Sequence, residues 1–128
     1  MKFSLFKPSN AFTSSPPCLY YLSGLTCSDE QFVTKASSAF AYAQSENISI
    51  CIPDTSPRFN PVDGDSTSWD FGIGAGFYID ASVDPWKAAG YKMETYLTEE
   101  LTNLIASEQF NCGVKARGVF GHSMGGRK

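Results

Sequence analysis

The chain has 128 residues, 42% of them hydrophobic and 18% charged, which fits one globular domain and excludes an intrinsically disordered chain. Its net charge is −3, and lysine and arginine are spread along the sequence, so we expect no nucleic-acid partner. The first residues have no apolar stretch of signal-peptide length, so we expect no signal peptide, and no apolar run reaches the roughly 18 residues that span a membrane. The four cysteines form no Cys-x-x-Cys pair, and we therefore expect free thiols, no membrane contact and a cytoplasmic location.

The first part of the chain predicts three strands and one helix. We expect a short strand over residues 1–7, a strand buried on both faces over Cys18–Leu22, and a second buried strand over residues 48–52. Ser28-x-x-Gln31 has the form of a capping box, and apolar residues follow it at helical spacing up to about residue 46.

The second part of the chain predicts a long ordered loop, a helix and a final strand. Residues 54–89 have no sustained period but are rich in aromatic residues, which indicates a packed loop. The glycines of residues 72–76 follow no strand, so we reject dinucleotide binding. Asp63, Asp65 and Asp70 lack EF-hand spacing, and we interpret them as a solvated turn without a metal. Apolar residues at 3.6-residue spacing then predict a helix over residues 93–105.

Strands that alternate with helices predict an α/β fold, with a mainly parallel sheet and flanking helices in one domain over residues 1–128. The first two strands are joined by a proline-rich turn. An antiparallel pairing between those two strands is therefore the alternative to a fully parallel sheet.

The pattern with the clearest chemical meaning is Gly-His-Ser-Met-Gly at residues 121–125, which follows a short apolar strand. This is the form of a nucleophile elbow, in which glycines permit a tight turn and expose Ser123 at the end of the strand. By itself the pattern leaves both a nucleophile and an ordinary structural turn open. The oxyanion donors of such a site would be the Met124 N–H and one N–H from residues 24–26, a loop that is also readable as an ordinary connection.

A nucleophilic serine needs a base, and the chain contains one histidine, His122, next to Ser123. Neighbouring side chains on a sharp turn diverge, so we expect His122 to be poorly placed to accept the serine proton. A Ser–Lys dyad with Lys128 is conceivable, although a solvated lysine is the simpler reading. Cys27 lies beside the predicted oxyanion loop, either as a small buried residue or as a thiol near the cleft.

Five motifs in order resemble those of the esterase D family of α/β-hydrolases, the S-formylglutathione hydrolases. They are Leu-Ser-Gly-Leu-Thr-Cys at residues 22–27, Pro-Asp-Thr-Ser-Pro-Arg at 53–58, Ser-Trp-Asp-Phe-Gly at 68–72, Gly-Ala-Gly-Phe-Tyr-Ile-Asp-Ala at 74–81 and Gly-His-Ser-Met-Gly-Gly at 121–126. The resemblance extends over almost the whole chain, from near residue 1 to residue 126.

The resemblance implies a cytosolic serine thioesterase that cleaves S-formylglutathione to glutathione and formate in formaldehyde detoxification, and that also hydrolyses small activated esters. It implies Ser123 as the nucleophile and the Leu25 and Met124 N–H groups as the oxyanion hole. Cys27 matches a cysteine near the site whose modification inhibits. The family needs no cofactor and is often dimeric.

The resemblance also implies a partial α/β-hydrolase domain that ends at the nucleophile elbow. The family's opening strand segment, its elbow helix, its later strands and its triad acid and histidine are expected to lie outside residues 1–128. The segment Phe-Asn-Pro at residues 59–61 departs from the family's glycine-containing stretch. We therefore expect Val119 and Phe120 on an exposed sheet edge, and a chain that is marginally stable and poorly soluble.

Overall fold

The computed structural model describes residues 1–12, 14–59 and 62–127. Its centre is a four-stranded sheet of β1 (Phe3–Phe6), β2 (Cys18–Leu22), β3 (Ser49–Pro53) and β4 (Arg117–Gly121), in the spatial order β1-β3-β2-β4. β2 runs parallel to both β3 and β4, whereas β1 is antiparallel to β3. The predicted α/β architecture with a mainly parallel sheet is confirmed.

The partner of β1 is not the one that the sequence offered as an alternative. Phe3 lies opposite Pro53 and Phe6 lies opposite Ile50, so β1 pairs with β3 and not with β2. Both edges of β2 are already occupied by parallel neighbours, and no edge is left for β1. The segment after β1 forms a 3₁₀ helix at Ser9–Phe12 instead of a tight hairpin turn.

The single helix predicted before β3 is two helices, α1 (Glu30–Lys35) and α2 (Ser37–Ser45). The helix is broken at Ala36, whose φ and ψ are −115° and 38°. Phe32 and Phe40 lie on either side of the break and pack edge to face, with ring centroids 5.8 Å apart. Both helices therefore cover the same face of the sheet.

The predicted capping box does not form. The N-cap of α1 is Asp29, whose side chain makes no capping hydrogen bond. Ser28 Oγ accepts a hydrogen bond from the N–H of Glu30 at 3.3 Å, and Gln31 N–H binds the carbonyl of Ser28 instead of its hydroxyl. The helix starts one residue later than the pattern indicates, which removes the serine from the capping position.

The predicted helix over residues 93–105 is present but is not uniform. It comprises α3 (Met93–Thr95), a π-helical segment (Tyr96–Leu101) and α4 (Thr102–Ala106). A 3.6-residue apolar stripe does not reveal a single π-helical turn within a longer helix. Leu101 and Ile105 are fully buried, as the stripe predicts.

The core lies on both faces of the sheet. Every residue of β3 is buried, while β2 alternates between buried and half-buried positions and is less enclosed than predicted. One face packs against the helical residues 93–106 and the other against α1 and α2. The buried clusters of the first face contain Cys18, Tyr20, Cys51, Leu101, Ile105 and Cys112, and Leu22, Tyr78, Met93 and Met124; that of the second contains Ala43, Ile50 and Ile52.

β4 forms one edge of the sheet. Its side chains are largely exposed, with Val119 and Phe120 at 68% and 40%. An apolar groove of about 330 Å³ runs between β4 and the helical residues 93–106 on one face. The predicted exposed apolar edge is confirmed. Within the described residues, no helix is long and apolar enough to cross a membrane.

Candidate active site

The turn after β4 has the backbone geometry of a nucleophile elbow. Ser123 has a φ of +55°, in the left-handed region that non-glycine residues rarely occupy. A Cβ at Gly121 would lie 2.5 Å from the Gly125 carbonyl oxygen, and a Cβ at Gly125 would overlap the Leu22 carbonyl oxygen. Both glycines are therefore required by close backbone approach, as the sequence predicts. A single 3₁₀ turn, Ser123–Arg127, follows.

The loop after β2 lies directly against this elbow. A Cβ at Gly24 would lie 3.4 Å from Ser123 Cβ and 3.4 Å from His122 Nδ1, so this glycine lets the loop approach the serine closely. The N–H of His122 donates to the Leu22 carbonyl at 3.1 Å and ties the elbow to the end of β2. Over the described ranges, the N–H groups of Leu25 and Met124 have no hydrogen-bond acceptor in the protein. Two unpaired amides beside a strained serine can bind an oxyanion.

Two other motif segments brace this loop. The N–H of Thr26 donates to the Gly74 carbonyl at 2.9 Å, and the N–H of Gly74 donates to Ser56 Oγ at 2.8 Å. The carbonyl oxygen of Cys27 accepts hydrogen bonds from Thr55 Oγ1 and from Arg58 Nη2, the latter at 3.1 Å. The segments at residues 53–58 and 74–81 thus fix the conformation of residues 24–27.

Arg58 is itself held by a carboxylate. Its Nε and Nη2 donate to the two oxygens of Asp54 at 2.7 and 3.0 Å, a bidentate ion pair. The hydrogen bond to Asp54 raises the pKa of Arg58. Asp54 is buried, and it also accepts the N–H of Thr55 at 2.7 Å. The ion pair of Arg58 and Asp54 therefore positions backbone beside the candidate site, a role that no sequence pattern indicated.

The glycines at residues 72–76 are required by close packing against neighbouring backbone. A Cβ at Gly74 would lie 3.1 Å from Thr26 Cα, and one at Gly76 would lie 2.6 Å from the Thr55 carbonyl oxygen. Gly72 has a φ of +75°, and a Cβ there would overlap the Asp65 backbone. These positions are glycine because neighbouring backbone leaves no room for a side chain.

The interpretation of Asp65 as part of a solvated turn is wrong. Asp65 is only 2% exposed, and its carboxylate accepts the N–H of Val62 at 2.7 Å, Trp86 Nε1–H at 2.6 Å and the hydroxyl of Tyr91. Burial by itself raises the pKa of Asp65, but these three hydrogen bonds outweigh it and hold the pKa below its ordinary value. Asp63 and Asp70 are exposed, as predicted. Sequence spacing gave no signal for this contrast.

The four cysteines are free thiols in different environments. Cys18, Cys51 and Cys112 are fully buried in the core, and burial raises the pKa of Cys18 to about 12. Cys27 is half-buried and directly follows the loop at residues 24–26. Among the described residues, no cluster of three or more His, Cys, Asp or Glu side chains could hold a metal ion.

A nucleophilic Ser123 also needs a general base, and the residues described above do not supply one. His122 is exposed and lies with its Nδ1 near Gly24. The alternative dyad with Lys128 falls outside the described residues, as do Asn60 and Pro61 of the segment that departs from the family pattern.

Comparison with known proteins gives consistent matches over almost the whole chain. The "Putative esterase" family model matches residues 1–127. The chain belongs to this esterase family. Its sequence is 46% identical to the S-formylglutathione hydrolase of Mus musculus over 127 residues and 42% identical to that of Arabidopsis thaliana. The predicted resemblance to the S-formylglutathione hydrolases, which are esterase-family hydrolases, is confirmed.

A solved structure shows the same fold. An S-formylglutathione hydrolase from Agrobacterium tumefaciens matches with a TM-score of 0.88 and 40% sequence identity, covering 97% of this chain. The architecture described above is therefore part of an α/β-hydrolase fold. The match with each curated relative covers 98% of this chain and 44% of the relative, so the chain spans less than half of their length.

Proposed function

We propose that this chain carries the nucleophile and the oxyanion hole of a serine thioesterase that hydrolyses S-formylglutathione. The observation that supports this most directly is the strained Ser123, with a φ of +55°, beside the two unpaired amides of Leu25 and Met124. The names of the relatives supply the substrate. Residues 1–128 would form an incomplete α/β-hydrolase domain.

In the proposed reaction, Ser123 Oγ attacks the thioester carbonyl carbon while its proton passes to a base. The carbonyl oxygen becomes an oxyanion that accepts hydrogen bonds from Leu25 N–H and Met124 N–H. The tetrahedral intermediate collapses as the C–S bond breaks, and glutathione leaves as a thiol with the transferred proton. Water then hydrolyses formyl-Ser123 to formate and free serine. Every step uses acid–base and nucleophilic chemistry, and we propose that the site needs no cofactor.

A second candidate is a catalytically incompetent fragment. The observation that favours it is that the sequence contains one histidine, which precedes Ser123 on a tight turn. A serine without a positioned base is a weak nucleophile near neutral pH. A third candidate, a carboxylesterase for small esters, differs from the first in its substrate alone.

The cytosolic location, the participation in formaldehyde detoxification and the homodimer that the resemblance implies belong to the same proposal. The charge of −3 and the absence of a basic cluster in the sequence also favour a small-molecule partner over nucleic acid.

Incubation of the purified chain with p-nitrophenyl acetate tests the proposal. We expect a slow release of nitrophenol that is lost in Ser123→Ala and kept in Ser66→Ala, an exposed serine in the long loop. Release that is equal in all three proteins would support the incompetent fragment. A comparison of kcat/KM for S-formylglutathione and simple esters separates the thioesterase from the carboxylesterase.

A further inference from the structure

Tyr78 is linked to both residues of the candidate oxyanion hole, through a hydrogen bond and through a shared buried cluster. It is fully buried, and its hydroxyl donates to the Ser23 carbonyl at 2.8 Å, two residues before Leu25. Its ring belongs to the same buried cluster as Met124, and Leu25 packs against that cluster. Tyr78 therefore hydrogen-bonds to the loop that supplies one amide and shares a buried cluster with the residue that supplies the other.

The backbone of Tyr78 is strained and is fixed on both sides. Phe77 and Tyr78 have φ values of +48° and +55°, and bulky residues seldom occupy this region. The N–H of Gly76 donates to the Thr55 carbonyl at 3.0 Å, and the N–H of Met93 donates to the Ile79 carbonyl at 3.2 Å. Two consecutive strained residues persist only where the surrounding contacts determine them, and such strain is concentrated at functional sites.

The carbonyl of Ser23 is the acceptor of the Tyr78 hydrogen bond. Ser23 is buried, and within the described residues its own hydroxyl has no hydrogen-bond partner. Burial raises the pKa of Tyr78, so the phenol stays protonated and remains a hydrogen-bond donor at all ordinary pH values. Tyr78 thus holds the start of the loop, while Thr26 is held by Gly74 at its other end.

We propose that Tyr78 is a positioning residue that sets the Leu25 and Met124 amides relative to each other, and thereby the geometry of the oxyanion hole. This inference rests on the proposed function, because it assigns those amides to the same site. Oxyanion stabilisation depends on donors that are fixed before the reaction, so a loosened loop lowers the rate of acylation more than it lowers substrate binding.

The test compares Tyr78→Phe with Tyr91→Phe in the 128-residue chain. Each variant removes one buried tyrosine hydroxyl, but the hydroxyl of Tyr91 donates to Asp65 and does not contact the loop at residues 23–27. The first measurement is amide hydrogen exchange at Thr26 and Cys27, whose N–H groups bind Gly74 and Gly24. We expect exchange to rise by roughly 10-fold or more in Tyr78→Phe and to stay near the wild-type rate in Tyr91→Phe.

The second measurement is the pre-steady-state reaction with p-nitrophenyl acetate. We expect Tyr78→Phe to lower the Ser123-dependent acylation rate by about 10-fold with KM nearly unchanged, and Tyr91→Phe to leave both near wild type. If the wild type shows no Ser123-dependent reaction, the proposed function fails, while hydrogen exchange still decides the role of Tyr78.

Equal acceleration of exchange in the two variants, or none in Tyr78→Phe, overturns the inference. If Tyr78→Phe does not fold, an NMR measurement on the unmodified chain tests the inference instead. In the unmodified chain, the buried Tyr78 hydroxyl proton should give a slowly exchanging NMR resonance with contacts to Ser23 and Gly24. The absence of that resonance from a folded sample also overturns the inference.

Discussion

Gly125 lies so close to Leu22 that no side chain fits between them, since a Cβ on Gly125 would overlap the Leu22 carbonyl oxygen. The Leu22 carbonyl oxygen also accepts a hydrogen bond from the N–H of His122 at 3.1 Å. The end of β2 and the elbow after β4 therefore share one backbone contact zone. This zone brings Ser123 beside the loop at residues 23–27, although about 100 residues of intervening chain connect them.

We expect Gly125→Ala to destabilise the fold by about 3 kcal/mol, because the methyl group forces backbone apart in a packed region. The matched control is Gly126→Ala, since a Cβ at Gly126 would have its nearest contact at 3.4 Å, from the Gly121 carbonyl oxygen. That change should have little effect. Urea unfolding of both variants measures the difference, and equal midpoints would show that the elbow relaxes freely.

Asp65→Asn should lower the free energy of unfolding by about 2 kcal/mol near neutral pH, because the buried carboxylate accepts three hydrogen bonds. Asp63→Asn, an exposed neighbour, is the control and should be neutral.

The pH dependence of the Asp65 contribution has a defined sign. The folded-state pKa of Asp65 is lowered, so its contribution is fully present above the unfolded-state pKa of about 3.9 and is lost as pH falls through the folded-state value. The difference between the wild type and Asp65→Asn should therefore shrink in acid. A difference that grows as the pH falls would contradict this assignment.

The thiols should differ sharply in reactivity. Iodoacetamide at pH 8 is expected to modify Cys27 alone in the folded chain, because the other three thiols are fully buried and the pKa of Cys18 is about 12. Mass spectrometry after digestion identifies the site. All four should react in denaturant, and Cys27→Ser should leave the native chain almost unlabelled. Rapid native modification of Cys18 or Cys51 would contradict the burial of this cluster.

Val119→Lys should reduce self-association of the chain, because a charge on an exposed edge strand opposes edge-to-edge pairing. Val83→Lys is a close control, since Val83 is 67% exposed against 68% for Val119 but lies in a loop. Light scattering at increasing concentration compares the two variants. A cooperative thermal transition of a wild-type monomer that resists aggregation would contradict the expected marginal stability.

Sequence patterns predicted the elements better than their arrangement. The buried strand predicted over residues 48–52 is present as Ser49–Pro53, and the apolar stripe of the final helix is confirmed, since each depends on local periodicity. The capping box and the unbroken helix after Ser28 were wrong. The helix has Asp29 as its N-cap and is broken at Ala36, and sequence periodicity does not resolve helix ends to within one or two residues.

The candidate site also has features that the sequence could predict and features that it could not. The two glycines that flank Ser123 could be assigned from sequence, because a tight turn excludes side chains wherever it occurs. The contribution of Tyr78 could not, because nothing in an apolar run signals that one hydroxyl reaches a carbonyl 55 residues earlier. The burial of Asp65 could not be assigned from sequence either. Asp63 and Asp70 are the same residue type in the same segment, yet both are exposed to solvent.

The sequence by itself determined the α/β class, the elbow and the esterase-family motifs, because periodicity and short ordered motifs are properties of neighbouring residues. Only the tertiary structure decided that β1 joins β3, that Asp65 is buried, and that the loop after β2 meets Ser123. These outcomes depend on contacts between distant parts of the chain, and such contacts are determined by strand pairing, burial and backbone proximity in the folded state.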